Sequence, residues 1–281
     1  MVVYTQKETL VQALSLSNKN DKIGFVPTMG ALHDGHISLV KKALSENEIV
    51  VVSIFVNPTQ FNNSADLQKY PRTPEDDIAL LKKLKEKIIV YIPEISDLYE
   101  GSVSAKTYNF GGLQNEMEGK HRKGHFDGVG TIVSKLLKIV KPNTAYFGEK
   151  DFQQLQIVKK LVSIEKLPVK IVGCPILRET NGLAMSSRNK RLSEKLFQES
   201  TNIYKTLKEV REKFSSTSLA DLNAFVAERF LQNPNLKLEY FEIANEKNLK
   251  TAKRKNTGSK YRAFIAAFAG EVRLIDNMPL N

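Results

Sequence analysis

Residues 22–62 read KIGFVPTMGALHDGHISLVKKALSENEIVVVSIFVNPTQFN, and this stretch decides the fold. A short apolar run at 22–27 ends at Pro-Thr-Met-Gly. The segment 35–47 then places Ile37, Leu39, Val40, Ala43 and Leu44 at near-helical spacing, and 49–56 is β-branched and apolar nearly throughout. A run of that composition is expected to be a strand buried on both faces, which occurs where helices cover both sides of a parallel sheet. The pattern continues outward. Segments 74–87, 125–140 and 152–166 read as helices, and 88–92, 144–147 and 169–176 as short buried strands. Strict βα alternation predicts an α/β fold with a doubly wound, mostly parallel sheet.

The last third changes character. A long amphipathic helix is expected over 193–214 and a second over 219–231. Strands are expected over 236–244, 261–268 and 272–275, with a mobile loop of seven basic residues and no acid over 247–262. These make a smaller α+β unit. The expected domains are 1–176 and 177–281, with a hinge at about 178–190 around Gly182.

Composition narrows the classes. The 281 residues are 41% hydrophobic and 26% charged, a globular balance. One cysteine, Cys174, excludes an intrachain disulfide framework and any multi-Cys metal site, and its apolar neighbours predict an inert buried thiol. No apolar run approaches the ~18 residues of a membrane span, and residues 1–8 carry no basic segment followed by an apolar one. The expectation is a cytoplasmic protein without membrane partners. Net charge is +11, with 19 basic against 12 acidic residues in 177–281. That excess suits solubility, or attraction for a polyphosphate, a carboxylate or nucleic acid.

Four segments carry chemistry: three follow strands at the carboxyl edge of the expected sheet, where such folds bind ligands, and the fourth is a turn between the two domains. The first is Met29-Gly30-Ala31-Leu32-His33-Asp34-Gly35-His36, a loop running into a helix whose N-terminal N–H groups and dipole favour phosphate. His33 and His36 stand three apart and can face one ligand. No third residue of matching spacing supports a zinc site. His-x-Gly-His resembles the signature of the nucleotidyltransferase superfamily, in which imidazoles contact ATP phosphates. The second is Asn57-Pro58-Thr59-Gln60, whose side-chain amides suit hydroxyl and carboxylate groups. After it comes Tyr70-Pro-Arg-Thr-Pro-Glu-Asp76-Asp77, where the acids match a helix N-terminus and Asp76 or Asp77 is a candidate magnesium ligand. The third is Gly148-Glu149-Lys150-Asp151-Phe-Gln-Gln154, a Gly turn that aims Lys150 at the same crevice. The fourth is Met185-Ser186-Ser187-Arg188, two hydroxyls and a guanidinium that can fork onto phosphate oxygens. It resembles the loop that closes on ATP in class I aminoacyl-tRNA synthetases.

Taken in order, PTMGALHDGH, NPTQF, YPRT, GHFDGV, GEKDFQQ, MSSRN and the C-terminal RLIDN resemble the pantoate–β-alanine ligase (pantothenate synthetase) family over almost the whole chain. The resemblance implies a Rossmann-like N-terminal domain with a C-terminal lid, a cytoplasmic homodimer, magnesium with ATP as a substrate, and no organic prosthetic group. It implies condensation of pantoate with β-alanine through a pantoyl adenylate, releasing AMP and pyrophosphate. By the same resemblance, residues 29–36, 148–151, Leu177 and 185–188 hold ATP. His36 is the proton donor, Lys150 and Arg188 act on the phosphates, Gln60, Gln154 and Asn57 bind pantoate, and Gln60 also borders β-alanine. Lys123 stands where family members commonly carry Pro before Gly124.

The chemistry agrees with the residue types. Adenylation of a carboxylate needs in-line positioning and cations against growing phosphate charge, which Mg²⁺, Lys150, His36 and Arg188 supply. No enzyme nucleophile is needed. Two rival readings exist: another adenylyltransferase, which would share His-x-Gly-His but not NPTQF and GEKDFQQ, and an RNA-binding module built on 247–262. The latter offers Tyr261 as its one aromatic, too little for a stacking platform, and no nucleic-acid partner is expected.

Overall fold

The structure, a computed structural model, describes residues 1–18, 20–84, 86–99 and 101–281. Its strands are β1 (Val2–Tyr4), β2 (Ile23–Thr28), β3 (Ile49–Ile54), β4 (Ile88–Tyr91), β5 (Thr144–Gly148), β6 (Lys170–Cys174), β7 (Leu236–Asn245), β8 (Tyr261–Ala269) and β9 (Val272–Pro279). The helices are α1 (Lys7–Ser15), α2 (Asp34–Leu44), α3 (Ser64–Lys69), α4 (Pro74–Lys82), α5 (Ile95–Leu98), α6 (Glu118–His121), α7 (His125–Val140) and α8 (Phe152–Ile164), then α9 (Glu194–Glu199), α10 (Thr201–Lys213) and α11 (Leu219–Leu231).

Six strands form one sheet in the order β1-β4-β3-β2-β5-β6, every pair parallel. The alternation of side chains along β2 and β3 explains the two apolar faces. Phe25 and Val51 pack with Leu10 of α1 and with α7 and α8. Val26, Val50 and Val52 pack with α2 and with Leu81 of α4. From β2 the chain steps outward through β3 to β4, then returns across β2 to β5. The sheet therefore reverses direction between β2 and β5, and a crevice opens there at the carboxyl ends.

The antiparallel sheet β7-β8-β9 lies C-terminal, with α10 and α11 on one face around Leu207, Val210, Leu222 and Val226. The expected α/β architecture with a smaller α+β unit is what the chain forms.

Five details differ from expectation. The strand β1 and helix α1 escaped the sequence pattern because β1 is a three-residue edge strand and α1 buries only Leu10. The helix expected over 193–214 is two helices meeting at Ser200, whose hydroxyl donates to the carbonyl of Leu196, a local bond that competes with the helical ladder. The helix expected over 74–87 ends at Lys82; of its last residues, Lys85 lies outside those described. Strand β9 runs on to Pro279, past Asp276 and Asn277. Those polar residues read as a strand end, yet both are buried with partners. The basic loop after β7 is pinned, since Thr251 bridges to Ala244 and Lys255 Nζ donates to the carbonyls of Phe214 and Thr217.

Candidate active site

A cleft of about 210 Å³ occupies the switch point between β2 and β5. It is lined from four sides by Met29, His33, Gly35 and His36, by Gln60 and Tyr70, by Gly148, Lys150, Asp151 and Gln154, and by Leu177 and Met185, Ser186, Ser187 and Arg188. Segments spread across the chain thus meet in one cavity.

The loop after β2 is shaped by Asp77. Its carboxylate accepts from the backbone N–H of Ala31 (2.9 Å) and Leu32 (2.6 Å), fixing a turn in which Gly30 (φ 78°) and Ala31 (φ 49°) are both left-handed. At Gly30 an added Cβ would stand 3.0 Å from the carboxylate itself, so glycine is required twice over. The two candidate magnesium ligands are placed differently. Asp77 is spent on the loop, burial raises its pKa, and Asp76 beside it is exposed and does not line the cleft. Among the described residues no group of three or more His, Cys, Asp or Glu could hold a metal ion.

His33 begins α2. Its Nδ1 accepts from the N–H of Gly35 (3.1 Å), and His36 Nδ1 accepts from the N–H of His33 (3.4 Å), with the rings 4.1 Å apart. Both Nδ1 atoms being acceptors, each neutral ring carries its proton on Nε2. Burial and the nearby Lys150 push His33 down to about 4. Burial, His33 and Lys150 hold His36 well below the usual imidazole value. Both shifts favour the neutral rings, which donate from Nε2, and the fixed cations lining the cleft are Lys150 and Arg188.

Gln60 is oriented from behind. Tyr99 donates its hydroxyl to Asn57 Oδ1 (2.6 Å), and Asn57 Nδ2 donates to Gln60 Oε1 (3.0 Å) and to the carbonyl of Gly128 (3.1 Å). Burial raises the Tyr99 pKa, so it stays a donor. The relay takes up the oxygen of Gln60 and leaves its NH₂ for a ligand. Asn57 is fully buried and off the cleft wall, where its amide orients that of Gln60. The main-chain carbonyl of Gln60 is held by His125 Nδ1 (2.8 Å) and Arg122 Nη2 (3.1 Å).

Val129, Ile132, Val133 and Leu136 of α7 give the cleft an apolar stretch of lining. Helical spacing over 125–140 gives no sign that part of this apolar stripe borders a cavity. Tyr70 was also missed as a lining residue. It lies under Arg188, whose guanidinium is 5.4 Å from the ring centre.

Ser187 Oγ donates to the carbonyl of Ala31 (3.0 Å), tying the inter-domain turn to the loop after β2. Asp66 accepts from Arg188 (2.8 Å) and Arg191 (3.0 Å), a clasp no motif announced. Gly30, Ala31, Leu32, Asp34 and Glu149 do not line the cleft; Ala31 and Leu32 are buried beneath it.

Fold and cleft together define a class: a doubly wound α/β protein with a switch-point crevice equipped for a polyphosphate, an amide-lined pocket beside it, and an apolar wall. Within that class the chain belongs to the pantoate–β-alanine ligase family, whose model matches residues 2–279. It is 57% identical over 258 residues to the pantothenate synthetase of Flavobacterium psychrophilum, covering 92% of each chain. It is 50% identical to that of Christiangramia forsetii across the whole of both. Crystal structures of similar fold include pantothenate synthetase from Thermus thermophilus (TM-score 0.91, 37% identity, 100% of this chain and 99% of that one). Another is the Francisella tularensis pantoate–β-alanine ligase complexed with β,γ ATP and β-alanine (TM-score 0.83, 39% identity, 100% and 98%). No helix of the described residues is long and apolar enough to cross a membrane.

Proposed function

We propose that this chain condenses pantoate with β-alanine at the expense of ATP, through a pantoyl adenylate, releasing AMP and pyrophosphate. The observation that carries the reading is the convergence of both imidazoles, Lys150 and the Ser186–Ser187–Arg188 turn on one cleft that also holds Gln60, Gln154 and an apolar wall. ATP lies along Met29, His33, Gly35 and His36 of the 29–36 loop and along Gly148, Lys150 and Asp151, with Leu177 and Met185 beside the base and Ser186, Ser187 and Arg188 over the phosphates. Pantoate sits between Gln60 and Gln154. The NH₂ of Gln60 donates to its oxygens, and the branched aliphatic part packs on Val129, Ile132 and Val133. β-Alanine approaches next to Gln60.

A pantoate carboxylate oxygen attacks the α-phosphorus in line, and the bond to the pyrophosphate oxygen breaks. Lys150 and Arg188 oppose the charge that grows on the departing phosphates, while His33 and His36 donate from Nε2. The neutral amine of β-alanine then attacks the acyl carbon and loses a proton. AMP departs with the oxygen that was pantoate's. Magnesium enters as the ATP complex, with the phosphates as its ligands.

Residues 177–281 serve as a lid hinged at about 178–190, joined to the first domain by polar bonds such as Ser187 to Ala31 and Arg188 to Asp66. A cytoplasmic homodimer is part of the reading, drawn from the family resemblance. The test is mass spectrometry of the products from purified protein, MgATP, pantoate and β-alanine, each omitted in turn. Pantothenate and AMP should form only with all present. AMP and pyrophosphate at full rate without pantoate would overturn the proposal.

A further inference from the structure

We propose that Asn277, on the last strand of the C-terminal sheet, is a positioning residue for Lys150. The inference rests on the reading above, in which Lys150 meets the phosphates. Asn277 Nδ2 donates to the carbonyl of Glu149 (2.9 Å) and to the carbonyl of Lys150 (2.8 Å). Those carbonyls belong to the two peptide planes on either side of the Lys150 Cα. Because each peptide is planar, holding both oxygens fixes φ and ψ of Lys150 and hence the direction in which its side chain leaves the turn between β5 and α8.

The amide is held the right way round. Its Oδ1 accepts from Arg262 Nη1 (2.6 Å), and a guanidinium can only donate, so the NH₂ faces the carbonyls. Arg262 is braced in turn: Nε donates to Glu246 (2.8 Å), Nη2 lies 3.7 Å from the Glu149 carboxylate, and the guanidinium stacks 3.9 Å over the Phe152 ring. The main-chain N–H of Asn277 donates to Asp276 Oδ1 (2.8 Å), and Asp276 takes a two-point bond from Arg178 of the hinge (2.6 and 3.0 Å). Asn277 is 2% exposed. The Asp-Asn end of the RLIDN motif therefore connects hinge, C-terminal sheet and Lys150 turn in one chain of bonds, placing the lid's strand β9 in control of where the lysine points.

The decisive variant is Asn277→Asp. It keeps the shape and the acceptor for Arg262, removes both donors and sets a negative oxygen against two carbonyls. In the full-length protein with MgATP, pantoate-dependent exchange of labelled pyrophosphate into ATP should fall by about tenfold or more, with the KM for ATP raised. Aminolysis of supplied pantoyl adenylate by β-alanine, which involves no pyrophosphate, should stay within about twofold. Lys150→Ala combined with Asn277→Asp should be no slower than Lys150→Ala alone, since a residue acting through another adds nothing once that other is gone. Asn277→Ala, which adds no charge, makes the same comparison if the aspartate variant does not fold. Binding of a non-hydrolysable ATP analogue, free of turnover, should weaken in parallel with exchange.

Exchange within about twofold of the parent in a folded variant, or equal losses in both half-reactions, would overturn the positioning role. Absence of pantoate-dependent exchange in the unmodified protein would instead remove the ligase reading itself.

Discussion

Replacing Asp77 with alanine separates two jobs that a carboxylate in this place could do. The structure gives it the backbone N–H groups of Ala31 and Leu32, at 2.9 and 2.6 Å. Removing it strands two buried donors, at about 1–3 kcal/mol each. Part of that returns, because the buried carboxylate is itself held at a cost, as its raised pKa records, and because the left-handed Ala31 can relax, recovering about 1 kcal/mol. A net loss of about 2–3 kcal/mol corresponds to a drop of roughly 3–5 °C in Tm for a chain of this size. The relaxed loop should also raise the KM for ATP, since it carries the phosphate-facing start of α2. Thermal unfolding and an ATP titration at several magnesium concentrations measure both effects. A Tm within about 1 °C of the parent, together with a steeply increased magnesium requirement, would refute the reasoning and restore Asp77 as a metal ligand.

Other perturbations test other parts of the site. Lys150→Ala should lower turnover by ~10²-fold or more, as loss of a transition-state charge contact does, measured by steady-state kinetics on folded protein. Tyr99→Phe deprives Asn57 of its 2.6 Å donor, and the loosened Gln60 should raise the KM for pantoate by about three- to tenfold while that for ATP holds. Gly128→Ala would set a Cβ 2.2 Å from the carbonyl oxygen of Thr59, pushing α7 off the Gln60 turn at a cost of about 1–3 kcal/mol or more, read by denaturant unfolding. Stability should also fall as pH drops from about 6.5 toward 4, because His33, pushed down to about 4, and His125, pushed down to about 3, bind fewer protons folded than unfolded. The carboxyl of Glu118, lowered to about 2 by its arginine partner Arg273 against the cost of burial, adds its own loss only below its ordinary value near 4.5. Calorimetry between pH 7 and 5 stays above the loss from Glu118, and a His33→Gln variant should flatten the slope there.

The doubly wound sheet was legible because its strands are apolar on both faces and its helices carry a one-sided stripe, patterns set by burial itself. The carboxyl-edge motifs were legible for a related reason: a Gly-bearing loop between strand and helix has to emerge at that edge. What escaped was decided by contacts distant in sequence. Nothing local to Asp77 shows that two N–H groups from 46 and 45 residues earlier reach it. The burial of Asn57 was equally hidden, since it depends on Tyr99 and Gly128. The neutral ring of His36 is favoured only by burial beside His33 and Lys150. The role of RLIDN was opaque for the same reason, its partners lying 127 and 128 residues away.

Pantoate labelled with ¹⁸O in its carboxylate follows the central claim atom by atom. If the acid is activated through AMP, one labelled oxygen per turnover must appear in AMP and none in pyrophosphate. Label in pyrophosphate or orthophosphate, or AMP free of label while pantothenate accumulates, would contradict the account.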